Sequence, residues 1–181
     1  MLQAILNKVG RFSDADLALL EEQFVRRQFK KNEVLLAEGA ICQSVFLVQT
    51  GSVYQSAIDD IDENIIDLYT TNDWVMNYQS FVGQKPSVTQ IKAYTDCETL
   101  ELNIFKVHEL IETSPVFFQL GKIMEQGMQR IHFFDNALTP QQKYNYLLDT
   151  KPQLLQQFPL KMIASYLKIT PETLSRVRAN Y

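Results

Sequence analysis

Apolar residues recur along the first 24 positions at the spacing of a helix. Leu2, Ile5, Leu6 and Val9 share one face, and after Ser13, a suitable N-cap, Leu17, Leu20 and Phe24 repeat the pattern. From Phe24 to Asn103 the texture changes to short β-rich runs: SVFLVQT at 44–50, SVYQSAI at 52–58, IIDLYT at 65–70, TQIKAYT at 89–95 and ETLELN at 98–103. Turn signals separate them at Asn32, Glu38-Gly39, Thr50-Gly51, Asp59-Asp60 and Asn72-Asp73, and Gly39 and Gly51 stand where a turn asks for positive φ. Leu100 and Leu102 alternate with Thr99, Glu101 and Asn103, the period of a strand with one buried face. Such runs suit a sandwich, a jelly roll or a barrel.

Helical spacing returns at IFKVHELIETS (104–114), and Pro115 suits the first turn of a following helix. Val116, Leu120, Ile123, Met124, Gly127, Met128 and Ile131 mark a long helix reaching about Ala137. Its apolar stripe is broad enough to predict a dimer seam, with Gly127 allowing close approach; a helix buried within one chain is the alternative. Thr139-Pro140 opens another helix, PQQKYNYLLDT, and KPQLLQQFP at 151–159 holds a further short one. The pattern divides the chain at 1–113, 114–138 and 139–181.

The last stretch, IASYLKITPETLSRVR at 163–178, carries the sharpest signal. Ile163, Ala164 and Leu167 give a first helix an apolar face, with a small residue where a second helix must cross. Thr170 can cap that second helix, Pro171 fits its first position and Glu172 suits its dipole. Leu174 and Val177 turn inward, leaving Glu172, Thr173, Ser175, Arg176 and Arg178 outward. Two helices joined by about three residues, the second polar and basic on its free face, form the pattern of a DNA-binding helix-turn-helix. An ordinary helical hairpin with a solvated Arg pair is the plain alternative. Lys168 stands where such a turn usually has Gly, at a cost of about 1–2 kcal/mol if left-handed.

Charge sharpens this reading. The 181 residues carry a net charge of −4, which by itself argues against nucleic acid. Residues 1–138, however, hold 11 Lys and Arg against 19 Asp and Glu, while residues 139–181 hold 6 against 2. The positive field is gathered in the tail. Composition is ordinary at 46% hydrophobic and 21% charged, so a core is expected. No apolar run approaches the roughly 20 residues of a membrane span, and the opening MLQAILNKVGRFSD does not read as a signal peptide. Cys42 and Cys97 do not make a disulfide framework, and core thiols in a reducing cytoplasm are expected. No nucleophile–base pair, metal-spaced cluster or Gly-rich phosphate loop is visible, so no enzyme is expected.

Short strands, a long connecting helix and the ending IASYLKITPETLSR together resemble the CRP/FNR family of bacterial transcription regulators, over nearly the whole chain. The closest likeness is to a short branch common in Bacteroidetes, whose ending has Gly in place of Lys168. The resemblance implies an α+β fold: an antiparallel β-roll (a double-stranded β-helix or jelly roll) with flanking helices, a long dimerisation helix and a small all-α helix-turn-helix domain. Residues 151–159 are too few for the β-hairpin wing of larger members. It implies a cytoplasmic homodimer on double-stranded DNA. It also leaves room for RNA polymerase as a further partner and for an unidentified small-molecule effector. Pro171, Glu172 and Arg176 take the base-reading places. Arg176 suits a guanine edge and Glu172 a cytosine amine, while Pro171 lacks that capacity. Lys168, Thr170, Thr173, Ser175 and Arg178 are cast as phosphate contacts or secondary readers.

Members of the family that bind cyclic nucleotide share a Gly-Glu followed about ten residues later by Arg-Ser. The corresponding stretch, NDWVMNYQSFVGQKPSVTQIKA at 72–93, has Met76-Asn77 and Ser87-Val88 at those places. Both charged groups are missing, and a buried phosphate without a cation costs several kcal/mol. Strand alternation keeps Lys85 and Lys92 out of the pocket. Cyclic nucleotide is therefore not expected, and the degenerate pocket is assigned to Trp74, Met76, Asn77, Tyr78, Phe81, Ser87 and Val88. The two Cys are too few for an iron–sulfur cluster, and His108 and His132 are too far apart in sequence to suggest haem. No cofactor is expected. A ligand- or protein-binding module whose terminal helices do not read DNA remains the rival reading.

Overall fold

The computed structural model describes residues 2–59, 62–124 and 138–179. Helices α1 (Leu2–Val9) and α2 (Asp14–Glu21) come first. Ser13 begins α2 with a capping box: its hydroxyl accepts from the Asp16 N–H, and the Asp16 carboxylate accepts from the Ser13 N–H at 2.9 Å. The Ser13 hydroxyl and amide hold the Asp16 carboxyl below its ordinary range.

Eight strands follow: β1 (Val25–Phe29), β2 (Val34–Leu36), β3 (Ser44–Thr50), β4 (Val53–Asp59), β5 (Asp62–Tyr69), β6 (Trp74–Val75), β7 (Gln90–Ala93) and β8 (Cys97–Asn103). They form two antiparallel four-stranded sheets, ordered β1-β8-β3-β6 and β2-β7-β4-β5, with helix α3 (Tyr78–Gly83) inserted after β6. One apolar core runs through both sheets, with Phe46, Val48 and Leu102 from the first and Leu36, Val53 and Ile91 from the second. Four of the anticipated turns fall in place, and the one expected at Asp59-Asp60 reaches outside the described residues. Asn32, Gly39, Gly51 and Asn72 all have positive φ, and Asn tolerates this region better than other residues with a Cβ. At Gly51 a second constraint applies: a Cβ would overlap the Asp96 carbonyl oxygen.

Strand β8 departs from the simple alternation. Leu102 is fully buried, yet Thr99 on the opposite face is only 1% exposed. β8 lies between β1 and β3; Leu102 faces Val107 and Leu120 on one side, and Thr99 is buried on the other. A strand covered on both faces hides its polar positions too.

Helix α4 (Ile104–Thr113) packs on the 3₁₀ helix Pro115–Leu120, and helical residues continue to 124. For Leu120 and Ile123 this corrects the expected dimer seam: each is 3% exposed and packed with Met124 against the core of the same chain, and Pro115–Leu120 is 3₁₀. The expected contact residues Gly127, Met128 and Ile131 lie outside the described residues.

The tail comprises α5 (Pro140–Thr150), α6 (Leu154–Gln157), α7 (Leu160–Tyr166) and α8 (Pro171–Ala179). Thr139 and Gln142 form a capping box at the start of α5. The tail core is not separate from the sheets. Tyr144, Leu147, Leu154, Phe158, Ile163, Leu174 and Val177 cluster with Tyr54, Ile65 and Leu68 of β4 and β5. About 40 residues bury too little surface to be stable alone, and the outer face of the second sheet completes this core. Polar contacts fix the seat: the Ile65 N–H donates to Ser165 Oγ at 2.9 Å, and Lys151 meets Asp73 at 3.0 Å. The Tyr94 and Phe158 rings lie 4.9 Å apart. The Ser165 contact also covers a backbone donor on β5, the end strand of its sheet.

Candidate nucleic-acid interface and the polar network of the roll

Helix α7 ends in a Schellman turn. The Lys168 N–H donates to the Ser165 carbonyl and the Ile169 N–H to the Ala164 carbonyl, each at 3.0 Å. This geometry requires a left-handed residue, and Lys168 supplies it with φ 53°. Thr170 then caps α8, its hydroxyl accepting from the Thr173 N–H at 3.2 Å. Leu174 and Val177 anchor α8 on the tail core, so the side chains between them turn away from it.

The outward face is thereby set. Pro171, Glu172, Ser175, Arg176 and Arg178 are exposed and Thr173 is half-buried. Arg176 Nη2 donates to Thr173 Oγ1 at 3.4 Å, and the Thr170 hydroxyl lies 3.1 Å from the same oxygen. This chain of contacts restrains the guanidinium one turn into the helix. The Glu172 carboxyl is held below its ordinary range by its own backbone N–H, then by the Thr170 hydroxyl and the Arg176 charge. At neutral pH the face offers one acceptor beside one fork of donors.

Of the tail's six cations, two are directed inward. Lys151 is paired with Asp73, and Lys143 is 8% exposed with its ammonium on the Leu167 carbonyl. Lys161, Lys168, Arg176 and Arg178 are exposed. Lys161, in the first turn of α7, was not singled out from the sequence. A lone Lys between Leu160 and Met162 carries no motif, and only its exposed position beside the α7–α8 pair gives it weight.

The degenerate pocket residues do not converge on one place. Asn77 and Ser87 do meet: Asn77 Nδ2 donates to Ser87 Oγ at 2.8 Å and to Thr89 Oγ1 at 2.7 Å. Gln55 Nε2 donates to Thr89 Oγ1 at 2.7 Å, and the Tyr69 hydroxyl donates to Gln55 Oε1 at 3.2 Å. Gln55, Asn77, Ser87 and Thr89 are all under 10% exposed. Gln55, Tyr69 and Thr89 were not legible as site residues, because their meeting depends on the pairing of β4, β5 and β7. The remaining assignments need correction. Met76 and Phe81 line a small apolar cavity with Val45, Leu102 and Val107, on the helical side of the first sheet. Trp74 is buried against Phe24. Tyr78 is half-buried, and Val88 is 70% exposed. Lys92 pairs with Tyr54 in the β7–β4 register, on the face toward the tail.

The two sheets, the inserted α3 and the following helices define an α+β β-roll. Residues 26–114 match the family model of the cyclic nucleotide-binding domain. A comparison with curated protein sequences gave no match. Among solved structures the chain is similar to FixK2 from Bradyrhizobium japonicum, with TM-score 0.71 and 16% identity over 87% of this chain and 83% of that one. It is similar to the catabolite activator protein of Thermus thermophilus, with TM-score 0.59 and 18% identity over 93% and 83%. It is also similar to CLP, the c-di-GMP responsive global regulator of Xanthomonas campestris, with TM-score 0.60 and 16% identity over 93% and 91%. At these identities the likeness is one of fold.

Among the described residues no helix is long and apolar enough to cross a membrane. Nor do three or more His, Cys, Asp or Glu gather there as a metal site would require.

Proposed function

We propose that the chain is a CRP/FNR-type transcription regulator that reads DNA through α7 and α8, acts as a homodimer and takes no cyclic nucleotide in its roll. The observation that carries this reading is the exposed face of α8, where Glu172 and Arg176 stand outward while Leu174 and Val177 hold the helix from behind. In a helix-turn-helix, the second helix enters the major groove. There Arg176 would donate two hydrogen bonds to a guanine, and Glu172 would accept from a cytosine amine. Lys161, Lys168, Thr170, Thr173, Ser175 and Arg178 surround that face as candidates for phosphate contact. Two such heads would enter successive grooves about 34 Å apart on a near-palindromic site.

The loss of nucleotide binding is supported by the Asn77–Ser87–Thr89–Gln55 network. It joins the positions where the family keeps its Glu and Arg, and its groups bond to one another rather than lying open to a ligand. No cation lies among them, and a phosphate brought there would break those bonds without gaining a counter-charge.

Fluorescence anisotropy on random-sequence duplex across a salt series tests the reading. Phosphate contacts give a steep negative slope of log affinity against log salt. Absence of measurable binding at low salt would favour a binding module that does not engage nucleic acid.

A further inference from the structure

The α7–α8 turn rests on a cation buried inside the tail. Lys143 lies near the start of α5, is 8% exposed, and donates from Nζ to the Leu167 carbonyl at 2.9 Å. Leu167 is the C-cap of α7 and is itself fully buried. The last carbonyls of a helix have no partner within it. Here the Schellman turn takes those of Ala164 and Ser165, and Lys143 takes that of Leu167. A buried ammonium is costly unless it is well placed. Its place here is the negative end of the α7 dipole, where a cation is favoured. The next residue is Lys168, held left-handed at φ 53° without the freedom of a glycine.

We propose that Lys143 is a positioning residue for DNA reading. Its buried ammonium fixes the turn and so sets the angle at which α8 presents Glu172 and Arg176. The proposal rests on the DNA-reading function above and deepens it, since Lys143 acts through the turn and touches no DNA.

The test compares full-length wild type, Lys143→Met and Lys143→Arg. A duplex selected by the wild type is used, at a temperature where each variant's melt shows it fully folded. Lys143→Met is expected to bind about tenfold more weakly, the scale of one hydrogen bond to a charged group. Its salt slope should equal that of the wild type, because no phosphate contact is lost. Lys143→Arg, which keeps the charge and a donor, should recover most of the affinity, and the Ile169 amide should exchange faster in Lys143→Met. Wild-type affinity in Lys143→Met would overturn the positioning role, as would a slope smaller by about one, the mark of a direct phosphate contact. Should Lys143→Met fail to fold, Lys143→Gln takes its place with the same expected result. A wild type that selects no duplex would overturn the DNA reading itself, and this inference with it.

Discussion

The Lys151 ammonium lies 3.0 Å from both carboxylate oxygens of Asp73. It ties the end of α5 to the turn before β6, and both side chains are about 15% exposed. With the Ile65–Ser165 bond and the shared apolar cluster, it seats the tail on the roll. In α8 only Leu174 and Val177 are buried in that cluster, and Glu172, Ser175, Arg176 and Arg178 stay exposed.

Lys151→Met should therefore loosen the seat without touching the exposed face of α8. Removing one partner of a buried pair costs about 3–5 kcal/mol; partial exposure reduces the expected loss here to about 1–3 kcal/mol. Thermal melting should register that loss, and amide exchange at Ile65 should quicken. An unchanged melting curve would mean the apolar cluster alone holds the tail.

The network at Asn77 and Ser87 predicts no calorimetric binding of cyclic AMP or cyclic GMP. Placing a cation there alone, by Ser87→Arg, should not create binding. It buries an unpaired guanidinium where Ser87 is 3% exposed and should destabilise the roll by about 3 kcal/mol. A measurable heat of binding in the wild type would contradict that reading of the network.

Lys168→Gly separates backbone strain from charge. Glycine relieves the left-handed conformation, which should stabilise the chain by about 1 kcal/mol in chemical denaturation. If Lys168 meets a phosphate, the same change should reduce the salt slope by about one. Loss of stability on this substitution would mean that the Lys168 side chain contributes more than its backbone conformation costs.

Cys97 is expected to be inert near neutral pH. Burial first, and then the charges of Asp96 and Glu33, push its thiol up from 9.0 to about 11. Thiolate is the reactive form, so a disulfide reagent at pH 8 should modify Cys97 only after unfolding. The linkage has a definite sign. With the folded pKa above the unfolded one, the thiol's contribution to stability is complete below about pH 9 and falls away as pH rises toward 11. Stability independent of pH across that interval would contradict it.

Much of this fold is legible in local patterns. Five of the strand runs, the Ser13 cap, the turns at Asn32, Gly39, Gly51 and Asn72, and the left-handed Lys168 all follow from short-range chemistry. What stayed hidden depends on distant pairing. β1 reads VRRQF, too polar to stand out, and becomes a strand because β8 offers it an edge. β6 is only two residues long. Thr99 appears polar and outward until packing covers both faces of its strand, and Leu120 and Ile123 look like a seam until the roll claims them. The exposed polar and basic face of α8 was visible because two short helices joined by a tight turn form a local pattern. The hydrogen bonds that bring Gln55, Tyr69 and Thr89 to Asn77 were not, since those residues meet only through the second sheet.

The central claim is that α8 reads a specific DNA sequence without cyclic nucleotide. Selection of binding sites from random duplex DNA at low salt, wild type against Arg176→Ala and with no nucleotide added, tests it most directly. The account predicts an enriched palindrome with half-sites about one helical turn apart, lost or relaxed at one base position in the variant. Enrichment of no sequence by a folded wild type, or an identical motif from Arg176→Ala, would contradict it.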